Sequence, residues 1–233
     1  MEKEVRDIMN DITFVLTSCG RWDLLKDTID SFLDCNVYPI NDFIITEDSG
    51  EFDIYNEIKK HYGHLFQYII FNETGQRQGI AIIDKAYQIV KTPFIFHCED
   101  DWHFHNEGFD DFIANSIEIL KEDSEILQVH IRDKDTIKGQ KVEDIIHITK
   151  KGVEYSYLTR WGEWNGFSLN PGVRRLSNYQ LIAPYSQFIQ PATRTHGSRV
   201  ITEKTIAEVY TNKGYKGVHI GDYCYHTGDN RRA

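Results

Sequence analysis

The 233-residue chain has no glycine-rich phosphate loop. The turn after its first apolar run reads Thr17-Ser18-Cys19-Gly20-Arg21, which matches neither GxGxxG nor GxxxxGK[ST] and so disfavours a dinucleotide site or P-loop hydrolysis. Cysteine is scarce: the four residues at 19, 35, 98 and 224 show no CxxC spacing, so neither a zinc site nor a disulfide framework is expected. Proline is scarcer still at five residues, and no low-complexity tract occurs, which favours one compact unit over small domains on a linker. No run approaches the ~20 apolar residues of a membrane span. Met1 to Asn10 is charged and lacks the apolar core of a signal peptide, so a soluble, cytoplasmic protein is expected. Positive charge is short as well. The 26 Lys and Arg stand against 36 Asp and Glu, a net charge of −10, which argues against binding nucleic acid or anionic membrane through a broad basic face. An anionic substrate would need local help from a cation or a few arginines.

What the chain does have is a core, with 40% hydrophobic and 13% aromatic residues, and a repeated strand-helix pattern. Ile12 to Leu16 is a β-branched and apolar run. After the Thr17 to Arg21 turn, Trp22, Leu25, Ile29, Phe32 and Leu33 fall at helical spacing, with Lys26, Asp27 and Asp30 on the other side. Asp42 to Thr46 predicts a second strand, closing on Glu47-Asp48-Ser49-Gly50. Tyr55 to Tyr62 predicts a short helix, Gln67 to Phe71 a third strand and Ile80 to Val90 a helix. Such alternation predicts a parallel sheet. Phe109 to Leu120 reads as a further helix, Ile126 to Ile131 as a strand, Ile201 to Lys213 as a last helix ended by Gly214, and Val218 to Ile220 as a strand before the tail.

The fourth strand carries the sharpest signal. Residues 93 to 102, Pro-Phe-Ile-Phe-His-Cys-Glu-Asp-Asp-Trp, run an apolar strand directly into Glu99, Asp100 and Asp101. Open α/β sheets bind ligands beyond the carboxyl ends of their strands. Adjacent carboxylates repel one another, so converging two of them favours a divalent cation, which can also grip a diphosphate. Taken singly, such a triplet is more often a solvated turn. Thr17 could equally cap a helix, Arg21 be a surface charge and Asp48 a turn residue. Their common position tips the balance: Thr17 and Arg21 follow the first strand, Glu47 and Asp48 the second, and Glu99 to Asp101 the fourth, so one rim of a parallel sheet would collect all three groups.

These residues together resemble the GT-A glycosyltransferases, close to the large family 2 of inverting enzymes that use nucleotide sugars. The resemblance rests on the Thr-x-x-x-Arg turn, the Glu-Asp-Ser strand end, a helix around Gly79 and Asp84, and Glu-Asp-Asp in the place of the family's Asp-x-Asp (DxD) motif, with glutamate replacing its first aspartate. It covers nearly the whole chain. It implies an α/β, Rossmann-like single GT-A domain over residues 1–233, with a mostly parallel central sheet flanked by helices and a small additional sheet in the C-terminal half. About residues 1–131 would bind nucleotide and about 132–233 the acceptor. It further implies that Asp101 coordinates Mn2+ or Mg2+, that Glu99 contacts ribose or completes the metal site, and that Thr17, Arg21, Glu47, Asp48, Asp84 and Asp100 serve the nucleotide. The donor would be a UDP-sugar, and the acceptor a glycan, lipid-linked or protein-linked hydroxyl.

Two further assignments follow from that resemblance. His226 stands where some GT-A enzymes place a third metal ligand, with Arg231 and Arg232 nearby for the diphosphate and His219 as its rival. The ordinary alternative is a surface or packing histidine. Inversion needs a carboxylate base, and Glu203 near the start of the last helix holds that place, although acidic residues are also favoured there by the helix dipole. Asp222, Glu163 and Asp144 are fallbacks. Trp161, Trp164 and Phe167 could stack on a sugar or could be core. The competing functions are a nucleotidyltransferase, which should show a glycine-rich, lysine-bearing first loop, and a non-catalytic carbohydrate-binding protein on a degenerate GT-A fold.

Overall fold

The computed structural model describes residues 11–105, 111–136, 140–160, 166–193 and 197–228. Strand β1 (Ile12–Ser18) leads into α1 (Trp22–Cys35), β2 (Asp42–Glu47) into α2 (Phe52–Tyr62), and β3 (Tyr68–Phe71) into α3 (Ile80–Ile89) before β4 (Phe94–Glu99). These four strands are parallel in the order β3-β2-β1-β4. Val15 faces one side of the sheet, and Phe14 and Leu16 the other. On the Phe14 side α1 lays Leu25, Ile29 and Phe32 over the strands, with the Phe14 and Phe32 rings stacked at 4.5 Å. On the opposite side α3 buries Ile80, Ile83, Ala86 and Tyr87. Each helix thus turns its apolar stripe inward, and α3 buries Asp84 along with it.

The second half continues the same sheet. It adds β5 (Trp102–Phe104), α4 (Phe112–Glu122), β6 (Ile126–Arg132), β7 (Gln140–Val142), β8 (His147–Ile148), β9 (Glu154–Arg160), β10 (Gly172–Arg175), α5 (Leu176–Ile182), α6 (Ser198–Asn212) and β11 (Lys216–His226). The order runs on as β4-β10-β6-β11-β9-β7, with β5 on β11 and β8 on β9. The small sheet expected here is β9 with the short strands β7 and β8, joined to the main sheet through β11. Strand β10 lies antiparallel between β4 and β6, whereas β6 and β11 are parallel.

Several boundaries differ from the periodic reading. Asn170-Pro171-Gly172 has the composition of a turn, yet Gly172 opens β10, a strand of four residues and too short to display a period. The tail beyond Ile220 is strand as far as His226, because β5 supplies the pairing partner through Trp102, His103 and Phe104. Helix α4 starts at Phe112, where Asp111 accepts the Ala114 N–H at 2.9 Å, and Phe109 lies outside the described residues. Helix α6 starts at Ser198, three residues before the apolar pattern does, and Gly214 follows it at φ 88°.

Candidate functional site

Two adjacent buried carboxylates at the end of β2 shape the first loops. Glu47 accepts the Ser18 hydroxyl at 2.7 Å and the N–H groups of Gly20 and Ser49 at 3.0 and 2.8 Å. It is fully buried, and both its oxygens are committed to holding the turn after β1. Asp48 accepts the N–H groups of Gln78 and Gly79 at 2.8 and 2.7 Å and the Asn72 amide at 2.8 Å, so it ties β2 to the start of α3. Its side chain also lines a cleft that holds about 410 Å³ of open space, walled by Thr17, Arg21, Asp48, Glu99, Asp100 and Arg199 and backed by Ile82 and Ile83 of α3.

Beyond β4 the acidic triplet splits into three environments. Asp100 takes the Cys19 N–H at 3.2 Å and the Nε and Nη2 of Arg21 in a fork. Burial pushes its carboxyl up, to about 6, and Asp101 adds to this against the pull of Arg21. Asp101 is buried too, but contact with the His226 imidazole and the Arg21 guanidinium overcomes the desolvation cost and holds it below the ordinary carboxylate range. Arg21 Nη1 donates to Asp101 Oδ2 at 2.8 Å, and His226 Nε2 stands 3.2 Å from the same oxygen. Among the described residues, Asp101 Oδ1 is buried with no hydrogen-bond partner. The tail is clamped here: Thr227 N–H donates to the Asp101 carbonyl at 2.9 Å, and a Cβ on Gly228 would overlap the Asp101 carboxylate.

Glu99 turns the other way, into an ion pair with Arg199 near the start of α6. Arg199 Nε also lies 3.5 Å from Glu203 Oε1, while Glu203 Oε2 accepts the Leu169 N–H at 3.1 Å. With its amide nitrogen toward Glu99, at 2.9 Å from Oε2, Asn170 links that carboxylate to Arg132 and Ser168. Arg199 was missed by the sequence reading, since it stands a hundred residues from Glu99 in no motif.

Of the expected residues, Thr17, Arg21, Asp48, Glu99 and Asp100 share the cleft, and Asp101 and His226 meet on the far side of Arg21. Glu47 sits beneath the loop, and Glu203 behind Arg199. Asp84 points elsewhere: its carboxylate accepts the Tyr179 hydroxyl at 3.0 Å and the Tyr185 and Ser186 N–H groups at 2.8 Å each, so it anchors the turn after α5. Phe167 is fully buried against Tyr185 and Tyr210 and has no face left for a sugar. His219 is buried, with Nε2 donating to the Arg132 carbonyl at 2.9 Å. Asp222 accepts the Lys134 N–H at 3.0 Å, and Asp144 is exposed beside Lys141. Arg231, Arg232, Trp161, Trp164 and Glu163 lie outside the described residues.

No protein-family model and no curated protein matches the sequence. Solved structures do. A mannosyltransferase from Pyrobaculum calidifontis, determined with GDP-Man and Mn2+, superposes with a TM-score of 0.61 at 12% identity over 95% of this chain. GalNAc-T7, determined with UDP, GalNAc and Mn2+, gives 0.59 at 13% identity over 94%. The chain has the GT-A fold. It spans 58% and 44% of the length of those two proteins.

Both GT-A structures contain Mn2+, so the fit of a cation to this chain can be tested on its own atoms. Among the described residues no group of three His, Cys, Asp or Glu side chains encloses a metal position. Asp101 and His226 nevertheless fit a cation completed by substrate: a buried carboxylate with one unpartnered oxygen stands beside an imidazole nitrogen. Mg2+ and similar ions are commonly held by one or two protein ligands, with phosphate oxygens and water filling the rest. No helix among the described residues of this GT-A chain is long and apolar enough to cross a membrane.

Proposed function

We propose that the protein is a metal-dependent glycosyltransferase that moves a sugar from a nucleotide-sugar donor, a UDP-sugar in the first instance, to a hydroxyl acceptor with inversion. The observation that carries this reading is the convergence of Thr17, Arg21, Asp48, Glu99 and Asp100 on one cleft at the carboxyl ends of β1, β2 and β4, with Asp101 and His226 behind Arg21. The donor half is about residues 1–131 and the acceptor half about 132–233. The acceptor is a glycan, free or carried on lipid or protein.

In this reading Thr17 and Asp48 position the nucleoside and Glu99 the ribose. Arg21, with Arg231 from the tail, takes phosphate oxygens, for which a planar guanidinium is suited. Mn2+ or Mg2+ held by Asp101 and His226 would neutralise the charge that builds on the departing diphosphate. The acceptor oxygen bonds to the anomeric carbon as the carbon-oxygen bond to the diphosphate breaks, and the acceptor proton passes to Glu203. Oε1 is the receiving atom, because Oε2 is held by Leu169. One observation favours a second reading, a non-catalytic carbohydrate-binding protein on a degenerate GT-A fold: Arg199 stands at that same Oε1. A nucleotidyltransferase lacks comparable support, since the first loop carries neither lysine nor a glycine-rich run.

A panel of nucleotide sugars with Mn2+, followed by donor hydrolysis and thermal shift, separates these readings. The enzyme reading expects Mn2+-dependent stabilisation and release of nucleoside diphosphate, both lost in Asp101→Ala. Binding without turnover supports the non-catalytic protein, and no Mn2+-dependent nucleotide binding defeats the enzyme reading. Glu203→Gln should lower kcat by roughly 10²- to 10⁴-fold with nucleotide affinity unchanged.

A further inference from the structure

Arg21 occupies ground that the cation reading assigns to a metal. Its position is set by the fold, because it precedes the first turn of α1 and its carbonyl accepts the Leu25 N–H at 2.9 Å. From there the guanidinium forks onto Asp100 and reaches Asp101 Oδ2 with Nη1. His226 Nε2 approaches that same oxygen at 3.2 Å. A cation bound between Oδ2 and the imidazole would therefore stand against the guanidinium, and like charges at such separations, screened little by water, repel strongly. Asp101 has no room to turn away, because Gly228 is packed on its carboxylate and Thr227 holds its carbonyl. The movable party is Arg21, whose side chain is 21% exposed and lines the cleft.

We propose that Arg21 is an internal counter-ion for Asp101 that exchanges with a divalent cation, swinging onto the donor's diphosphate as the metal takes its place, so that metal and nucleotide bind as a coupled pair. The proposal rests on the reading above in which Asp101 and His226 hold the cation. Two features support it independently of sequence resemblance. The unpartnered Asp101 Oδ1 leaves a second oxygen for the incoming ion. Arg21 lines the same cleft as Thr17, Asp48, Glu99 and Arg199, so a displaced guanidinium has the nucleotide space beside it to enter. Asp100, released from the fork, keeps the Cys19 N–H. The coupling is reciprocal: whatever the nucleotide adds to metal affinity, the metal adds to nucleotide affinity.

Mn2+ binding to the full chain, read from the electron paramagnetic resonance signal of the free aquo ion, tests this without any turnover. Wild type, Arg21→Gln and Arg21→Lys are compared with Mn2+ alone and with added UDP or GDP. The lysine variant keeps the positive charge beside Asp100 and so protects the fold, but a single ammonium cannot fork onto both carboxylates. The expected result is at least tenfold tighter binding of Mn2+ alone by Arg21→Gln, a smaller gain by Arg21→Lys, and a nucleotide-induced tightening of at least tenfold in wild type that shrinks below threefold in the glutamine variant. Equal or weaker binding of Mn2+ alone by both variants overturns the exchange while leaving the metal site in place. If none of the three proteins binds Mn2+ with or without nucleotide, the metal site itself fails and the exchange with it.

Discussion

Glu47 and Asp48 show how differently two neighbouring carboxylates can be used. An acidic pair at a strand end reads as a ligand site, yet Glu47 spends both oxygens on Ser18, Gly20 and Ser49, which is what gives the turn after β1 its shape. Glu47→Ala should cost roughly 3 kcal/mol, since three donors lose a charged acceptor, two of them backbone N–H groups in a tight loop. The measurement is a lowered urea midpoint at unchanged m. Asp101 was legible from the strand that runs into it. Its partner His226 was legible only as a position near the tail, and Arg199 not at all, because nothing local marks which charges a fold will bring together. Asp84 illustrates the same limit: its helix was readable, but its hydrogen-bond donors come from residues 179 to 186, about a hundred positions on.

At the level of elements, helices α1, α3 and α4 announce themselves because each buries a wide stripe at spacings of three and four. Helix α6 is less marked: Ile206, Ala207 and Tyr210 are its apolar anchors, and Thr202 and Glu203 are buried alongside them. The loop that Glu203 holds is fixed from a second side by a glycine pair. Gly166 has φ 85°, and a Cβ there would stand 2.5 Å from Gly217 N, while a Cβ on Gly217 would stand 2.7 Å from the Gly166 carbonyl oxygen. Neither neighbour is a side chain that could give way. Gly217→Ala should therefore destabilise the protein by roughly 2–4 kcal/mol and shift the loop over residues 166 to 170, the latter read as weaker nucleotide binding through Glu99 and Asn170. A thermal melt and a UDP titration measure the two effects. If the melt stays within about a degree of wild type, the close approach is not a constraint on the fold.

Across the whole molecule, the register of the sheet lines up buried histidines in a row that no local pattern reveals. Gly172 of β10 pairs with His97 of β4 on one side and His130 of β6 on the other, and His130 pairs with His219 of β11. Desolvation pushes His97 and His130 well below their ordinary value of 6.5, with Arg174 and Arg132 among the cationic neighbours that add to it. Both histidines are neutral in the folded chain and become protonated in the unfolded chain below that value. Their contribution to stability is complete above pH 6.5 and is lost as the pH falls, at up to about 1.4 kcal/mol per pH unit for each. Urea denaturation at pH 7 and pH 5 should show this loss, and His97→Leu should flatten it by one histidine's share.

Element types, their order, the βα alternation and the acidic strand end could all be read along the chain, because burial of one face writes a period of two or 3.6 into neighbouring residues. The antiparallel insertion of β10, the pairing of the tail with β5, the burial of Phe167 and the meeting of Arg21, Asp101 and His226 could not. Each depends on contacts between segments tens to more than a hundred positions apart, whose free energy is settled when the sheet closes its register and which leave no repeating mark in either segment alone.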